Sequence, residues 1–269
     1  MTEDLRAHFG LATTPFTREI AVAERWHSSV FEEPLAELVA TIQQRQSAVV
    51  LAPSGAGKTI LLRALVDALP EARYRIHVVK VTSLSKREMY REIATASGVP
   101  GAGSFSTLLR RLQERFRALC DDEGLRPVLL VDEAQDMPAE TLATLRVLTN
   151  FDLDSRLLLS LVLAGTSALG DMLRRADLEP VARRIAHCAT LRLLSRAETR
   201  DYVEHRLRVV GARSTPFDEQ ALDAVYEVTR GNLRAIDHLC RKSLELAARK
   251  ALPVVDPALV IAARKSLLP

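Results

Sequence analysis

Cysteine and lysine are scarce in this chain, and no long apolar run, internal repeat or low-complexity tract occurs in its 269 residues. The three cysteines, Cys120, Cys188 and Cys240, follow no metal-ligand spacing and no even-numbered disulfide framework. They read as buried free thiols of a reducing compartment. The absence of 18 consecutive apolar residues excludes a spanning helix. The polar, acidic opening Met1-Thr2-Glu3-Asp4 does not resemble a secretory signal. The expectation is a soluble cytoplasmic protein with no membrane partner. Lysine occurs 6 times against 31 arginines, and the net charge is +3. That charge is uneven: residues 1–171 balance at −3 and residues 172–269 at +6. A basic final third suits an acidic polymer such as nucleic acid, or equally a solvated arginine-rich surface.

What is present is a globular composition, 48% hydrophobic and 26% charged, enough for a sizeable core. Its most telling stretch is Ala52-Pro53-Ser54-Gly55-Ala56-Gly57-Lys58-Thr59. An apolar run, Ser47–Leu51, precedes it and a helical pattern from Ile60 follows, the strand–loop–helix setting of a phosphate-binding P-loop. Backbone N–H groups of such a loop curl around phosphate oxygens, and the following helix aims its positive dipole end at them. Pro53, Ser54, Gly55, Ala56, Gly57, Lys58, Thr59 and Ile60 form the expected nucleotide cradle. Lys58 is placed to reach the β and γ phosphates of ATP, and the Thr59 hydroxyl to hold Mg²⁺. Alanine stands at position 52, where the usual pattern opens with glycine; a methyl group is tolerated there if φ is negative.

Strand-length apolar runs alternate with helical patterns, which predicts βαβ units and a parallel sheet, an α/β fold. Strands are expected at 47–52, 74–81, 127–132, 157–165 and 189–194, with helices near 34–44, 58–68, 86–98, 107–122, 139–149 and 168–175. After Leu194 the strand signal ends. Ser195-Arg196-Ala197-Glu198 reads as a capping box, and helices follow near 198–210, 218–229, 232–249 and 257–267. The expected organisation is an extended N-terminal arm (1–26), a nucleotide-binding core (27–194) and an all-helical lid (195–269).

A second motif, Val128-Leu129-Leu130-Val131-Asp132-Glu133, ends a buried strand in two carboxylates. At such a strand end Asp132 is expected to hold the Mg²⁺ shell and Glu133 to orient and polarise the attacking water. Helix capping by the Asp-Glu pair is the structural alternative. Thr166, after the run Leu157–Ala164, is placed to sense the γ-phosphate or simply to cap the next helix. Arg183-Arg184 and Gly231-Asn232-Leu233-Arg234 offer cations for developing phosphate charge.

In this order the motifs resemble those of an AAA+ ATPase. More narrowly, His8-Phe9-Gly10-Leu11 with Pro15-Phe16, Asp132-Glu133-Ala134-Gln135, Leu145-Arg146-Val147-Leu148-Thr149-Asn150, Arg184-Ile185 and Tyr202-Val203-Glu204-His205-Arg206-Leu207 resemble the ExeA-like branch, from about residue 5 to 250. That branch includes secretion and pilus ATPases and the TniB- and TnsC-type helper ATPases of transposons. The resemblance implies a five-stranded sheet of order 5-1-4-3-2, a helical lid, ATP-dependent homo-oligomerisation and an arginine finger acting in trans. It makes Thr166 the first sensor, Arg234 the second, and Arg184 the finger with Arg183 as alternate. Thr166 departs from the asparagine or glutamine common at that position. Asn150 either faces a neighbour's nucleotide or ends its helix.

The function expected from this resemblance is a transposition helper that hydrolyses ATP, assembles on double-stranded DNA and recruits or activates a transposase. The competing expectation is a cytosolic secretion or pilus ATPase with a protein client. The absence of a membrane segment after the lid favours the first. Lys86 and Arg87, after the second strand, are the expected DNA contacts, with a solvated helix start as the alternative.

Overall fold

A computed structural model describes residues 2–81, 85–149 and 156–266. In chain order the elements are α1 (Thr2–Phe9), α2 (Ser29–Gln43), β1 (Ser47–Leu51), α3 (Lys58–Ala68), β2 (Tyr74–Lys80), α4 (Lys86–Ala96), α5 (Phe105–Asp121) and β3 (Arg126–Asp132). They continue with α6 (Ala139–Leu148), β4 (Ser160–Gly165), α7 (Ser167–Leu173), α8 (Glu179–Ala182), β5 (Ile185–Thr190), α9 (Arg196–Val209), α10 (Glu219–Thr229), α11 (Leu233–Arg249) and α12 (Pro257–Lys265). The chain divides into two units, one of residues 1–30, 55–57 and 192–269, the other of residues 31–54 and 58–191.

The larger unit is built on a parallel sheet of order β2-β3-β4-β1-β5, the order implied by the family resemblance. Helical crossovers cover both faces of a parallel sheet, so its central strands are apolar throughout. β4 is buried along its whole length and β3 from its second residue on. On one face Leu129, Val131, Leu161 and Leu163 join Met89, Tyr90 and Ile93 of α4 and Leu108, Leu112 and Phe116 of α5 in one cluster. Each such side chain contributes about 1.5–3 kcal/mol by leaving water. Parallel register aligns Leu51 of β1 with Gly165 of β4, and Val131 of β3 with Leu163. The carboxyl ends of these three strands therefore open at one edge of the sheet, where open α/β folds carry their ligand chemistry.

The fifth strand lies earlier than its sequence suggests, at Ile185–Thr190 rather than 189–194. It pairs with β1 from Ser47↔Ile185 to Leu51↔Thr190 at the sheet edge, and its residues are mostly exposed or half-buried. An edge strand needs little apolar content, so the richer run Leu191–Leu194 masked it. The same exposure corrects the reading of the thiols: Cys240 is buried, Cys120 half-buried and Cys188 exposed.

The smaller unit is helical. Ser195, Asp218, Asn232 and Asp256 each accept a backbone N–H three residues on and start α9, α10, α11 and α12. Ile236, Leu239, Cys240, Ser243, Leu244 and Ala247 form the buried stripe of α11. The N-terminal arm is not extended: it opens with α1, which packs on α11 through a unit containing Leu5, 2% exposed. Farther along, the Ala12 N–H donates to the Val210 carbonyl at 2.9 Å.

The capping box at α9 is also an ion pair. Both terminal nitrogens of the Arg192 guanidinium donate to the Glu198 carboxylate at 2.7 Å, and the Ser195 N–H donates to it at 2.8 Å. Hydrogen bonding from Arg192 is the chief cause that brings Glu198 from 4.5 down to about 2. A depressed carboxyl pKa stabilises the fold above the unfolded value and loses that effect as pH falls through the folded one. Glu198→Gln should therefore cost about 1–2 kcal/mol at pH 7, a value discounted for partial exposure of the pair. Denaturant melts should show the gap between variant and wild type narrowing from pH 4.5 toward about 2. A gap independent of pH would exclude the ionic role.

Candidate active site

The turn from β1 into α3 is closed at its base by Ala52, whose N–H donates to the Gly165 carbonyl at 3.0 Å and extends the β1–β4 ladder. Ala52 is buried and is not among the residues with positive φ, which is why a methyl group is tolerated there. Gly55 and Gly57 adopt φ of +79° and +96°, a region costly for other residues. Lys58 begins α3, so the first N–H groups of an 11-residue helix lie at the end of this loop without intrahelical partners. Pro53, Ser54 and Thr59 are exposed, Ile60 is half-buried and Ala56 is buried.

Lys58 and the two strand-end carboxylates meet. The buried Lys58 ammonium bonds Asp132 Oδ1 and lies 2.9 Å from Glu133 Oε2. Asp132 is 9% exposed, and its Oδ1 also accepts the Glu133 N–H at 2.9 Å. Glu133 takes a left-handed backbone (φ 55°, ψ 38°), an uncommon conformation for a non-glycine residue that clusters at functional sites. Partial burial works to raise the Glu133 pKa. Hydrogen bonds from Gln135 and Lys58, with the charges of Lys58 and Lys80, outweigh it and hold the carboxyl below its ordinary value. An ionised carboxylate at neutral pH is the state that accepts a proton from water.

The sequence assigns Gln135 no role beyond its place in the Asp-Glu-Ala-Gln quartet. In the 3-10 turn Ala134–Asp136 it donates from Nε2 to Glu133 Oε2 at 2.9 Å and accepts the Thr166 N–H at Oε1, 3.2 Å away. Thr166 is the N-cap residue of α7, yet its side chain makes no cap bond.

The other expected residues are placed as follows. Arg184, half-buried, immediately precedes β5, whose first residue pairs with Ser47 at the start of β1. β1 has 5 residues, so about 15 Å of strand separates that edge of the sheet from the loop after Leu51. Arg184 is thus not brought to the site of its own chain. Arg183 is exposed and paired with Glu179 at 2.6 Å. Within the smaller unit the Arg234 N–H donates to the Gly55 carbonyl at 3.2 Å, and a Cβ at Gly55 would collide with the Asn232 side chain. Lys86 and Arg87 are exposed; the Lys86 ammonium sits 4.1 Å from the Phe105 ring centre and Arg87 donates to the Gly103 carbonyl at 3.0 Å. Asn150 lies outside the described residues.

The donor set for a cation is one hydroxyl, Thr59, and one carboxylate, Asp132. Few protein oxygens suit Mg²⁺, which keeps waters and takes substrate phosphates as its remaining ligands. Among the described residues no cluster of three or more His, Cys, Asp or Glu side chains offers a dedicated metal cage. No described helix is long and apolar enough to cross a membrane.

The P-loop, the paired strand-end carboxylates and the sheet order together make the fold that of AAA+ P-loop proteins, with a C-terminal helical region that fits a lid. Residues 41–173 match the AAA domain family. The chain is 32% identical over 263 residues, 95% of its length, to General secretion pathway protein A of Aeromonas hydrophila, and covers 47% of that protein. It spans about half the length, or less, of the curated relatives it matches. Among solved structures it resembles Cdc6p of Pyrobaculum aerophilum, with TM-score 0.73, 19% identity, and coverage of 94% of this chain and 70% of that one. The ORC1 protein of Aeropyrum pernix in complex with DNA gives TM-score 0.69 and 20% identity, with coverage of 91% and 66%. These likenesses are of fold.

Proposed function

We propose that the chain hydrolyses ATP with Mg²⁺ inside a homo-oligomer and uses the nucleotide cycle to act on a protein client, in the manner of a secretion ATPase. The observation that carries the catalytic part is Lys58 shared between Asp132 and Glu133 at the carboxyl ends of β1 and β3. When bound, Mg²⁺ neutralises charge on the β and γ phosphates. Lys58 binds the phosphates, which then compete with Glu133 for its ammonium. Glu133, released from that ion pair, orients a water and takes its proton. Thr59 and Asp132 would hold the cation. Thr166 and Arg234 are sensor candidates, and Arg184, remote from its own site, serves a neighbouring copy. The choice of a protein client rests on the similarity to a secretion pathway protein along nearly the whole chain. On this reading residues 27–194 act as the core and 195–269 as the lid.

A second reading keeps the same chemistry and assigns double-stranded DNA as the assembly surface, as in a transposition helper that recruits a transposase. The exposed Lys86 and Arg87 at the start of α4 support it, as does the fold shared with an ORC1 protein solved with DNA. One titration separates the two. Purified protein with ATP, ADP or no nucleotide is followed by sedimentation and by anisotropy of a labelled duplex from 50 to 200 mM salt (about the range over which phosphate contacts weaken steeply). Assembly with ATP but no ATP-dependent duplex binding at the lowest salt is the expected result. Duplex binding that needs ATP and drops on Lys86→Ala or Arg87→Ala would replace the first reading by the second.

A further inference from the structure

Three side chains at the strand ends form a relay that the catalytic reading leaves unexplained. The backbone N–H of Thr166, at the end of β4, can only donate, so the group of Gln135 that faces it at 3.2 Å is the amide oxygen. That fixes the amide nitrogen toward Glu133 Oε2, 2.9 Å away. The Gln135 amide therefore cannot rotate without breaking one bond at each end. The position before Thr166 is equally constrained: a Cβ on Gly165 would fall 2.6 Å from Gln135 Oε1 and 2.9 Å from Leu169 Cβ. Glycine at the last residue of β4 leaves the room that Gln135 occupies. Glu133 Oε2 is also the oxygen that faces Lys58. Its two neighbours thus differ in kind: Lys58 is a cation that a phosphate can attract away, whereas Gln135 is neutral and tied to the backbone of β4.

We infer that Gln135 is a positioning residue for ATP hydrolysis, holding the Glu133 carboxylate in place against the end of β4 once Lys58 turns to phosphate. The inference rests on the reading of Glu133 as the water-orienting carboxylate. In the step concerned, the water oxygen forms a bond to the γ-phosphorus and the bond to the β–γ bridging oxygen breaks. ADP leaves with that electron pair, and the water proton passes to Glu133. Gln135 exchanges no proton. It fixes which Glu133 oxygen stays bound and which remains for the water. Thr166 enters through its backbone, so a shift at the β4 end is carried to Glu133 whatever side chain position 166 bears.

The test uses the full chain with Gln135→Leu and Gln135→Glu. The second is isosteric and still accepts the Thr166 N–H, but it sets a carboxylate against Glu133. For both, kcat is expected to fall by about 10- to 100-fold, the range for a misplaced catalytic group, with KM and ATP affinity unchanged. In the Glu133→Gln background, Gln135→Leu should cause no further loss, since its effect runs through that carboxylate. Wild-type kcat in both Gln135 variants would overturn the inference. A raised KM at unchanged kcat, or a full additional loss in the double variant, would do the same. Wild-type turnover in Glu133→Gln would instead remove the reading of Glu133 itself, and the two failures are thereby distinct. If Gln135→Leu melts well below wild type, Gln135→Glu carries the decision.

Discussion

Glu133→Gln is expected to lower ATP turnover by roughly two to four orders of magnitude, the usual contribution of a positioned general base, while ATP remains bound. The change keeps shape and removes charge. The substitution is isosteric, and its amide oxygen still accepts from Gln135 Nε2 across the present 2.9 Å. Lys58 keeps its bond to Asp132, so the cation stays where a phosphate meets it. What disappears is the basicity of one carboxylate and its ionic contact with Lys58. Single-turnover hydrolysis of labelled ATP, alongside equilibrium binding of a fluorescent nucleotide, separates the two effects. Turnover at the wild-type rate would show that another group activates the water. Loss of binding equal to the loss of turnover would show that Glu133 acts on the ground state rather than on the transition state.

The parts of this site that sequence discloses are those whose spacing is set by the backbone. A phosphate loop needs glycine at fixed offsets between a strand and a helix, so Gly55, Gly57 and Lys58 are visible without coordinates. Asp132 and Glu133 are visible because a buried strand that suddenly turns acidic has few structural uses. Gln135 shows no such signature, since its role comes from two bonds to elements 2 and 31 residues away. Arg184 is one of several arginines the sequence offers, and only resemblance makes it the finger; its distance from the site follows from the pairing of β5 with β1. β5 itself is obscured because an edge strand with His187, Cys188 and Thr190 lacks the apolar run that marks β3 and β4. The first residues look extended because α1 carries little apolar content before Leu5, and its partner is α11, more than 220 residues on. Periodicity records a helix face and says nothing about which distant helix covers it.

The segment Tyr202–Leu207 marks the family resemblance without disclosing a task, and the smaller unit supplies one. Arg206 is 4% exposed, and it is the hub of the arm's attachment. One guanidinium nitrogen donates to the Tyr202 hydroxyl at 2.7 Å and to Asp237 Oδ2 at 3.0 Å; the other donates to the Thr17 carbonyl at 2.6 Å. The Tyr202 hydroxyl completes the ring by donating to Asp237 Oδ1 at 2.9 Å. The Phe16 ring centre lies 5.8 Å from the guanidinium carbon, and His205 bonds the Glu24 carbonyl at 2.8 Å. Arg206→Ala strips a buried carboxylate of its cation, leaving it only the Tyr202 donor, and removes the donor to the Tyr202 oxygen and the Thr17 carbonyl, at an expected cost of about 3–5 kcal/mol. The double change Arg206→Met with Asp237→Leu removes both charges and should cost much less than the sum of the single changes, because neither partner is stranded. Trp26 is the chain's one tryptophan and stacks edge-on to Tyr202 at 5.7 Å, so its fluorescence reports this attachment directly. In Arg206→Ala the emission should shift red and residues 1–30 should become open to protease at temperatures where far-ultraviolet dichroism still shows the helices. A loss below about 1 kcal/mol, the level of an exposed ion pair, with unchanged Trp26 emission would mean that apolar contacts through Leu5, Phe16 and Ile20 hold the arm without the ionic hub.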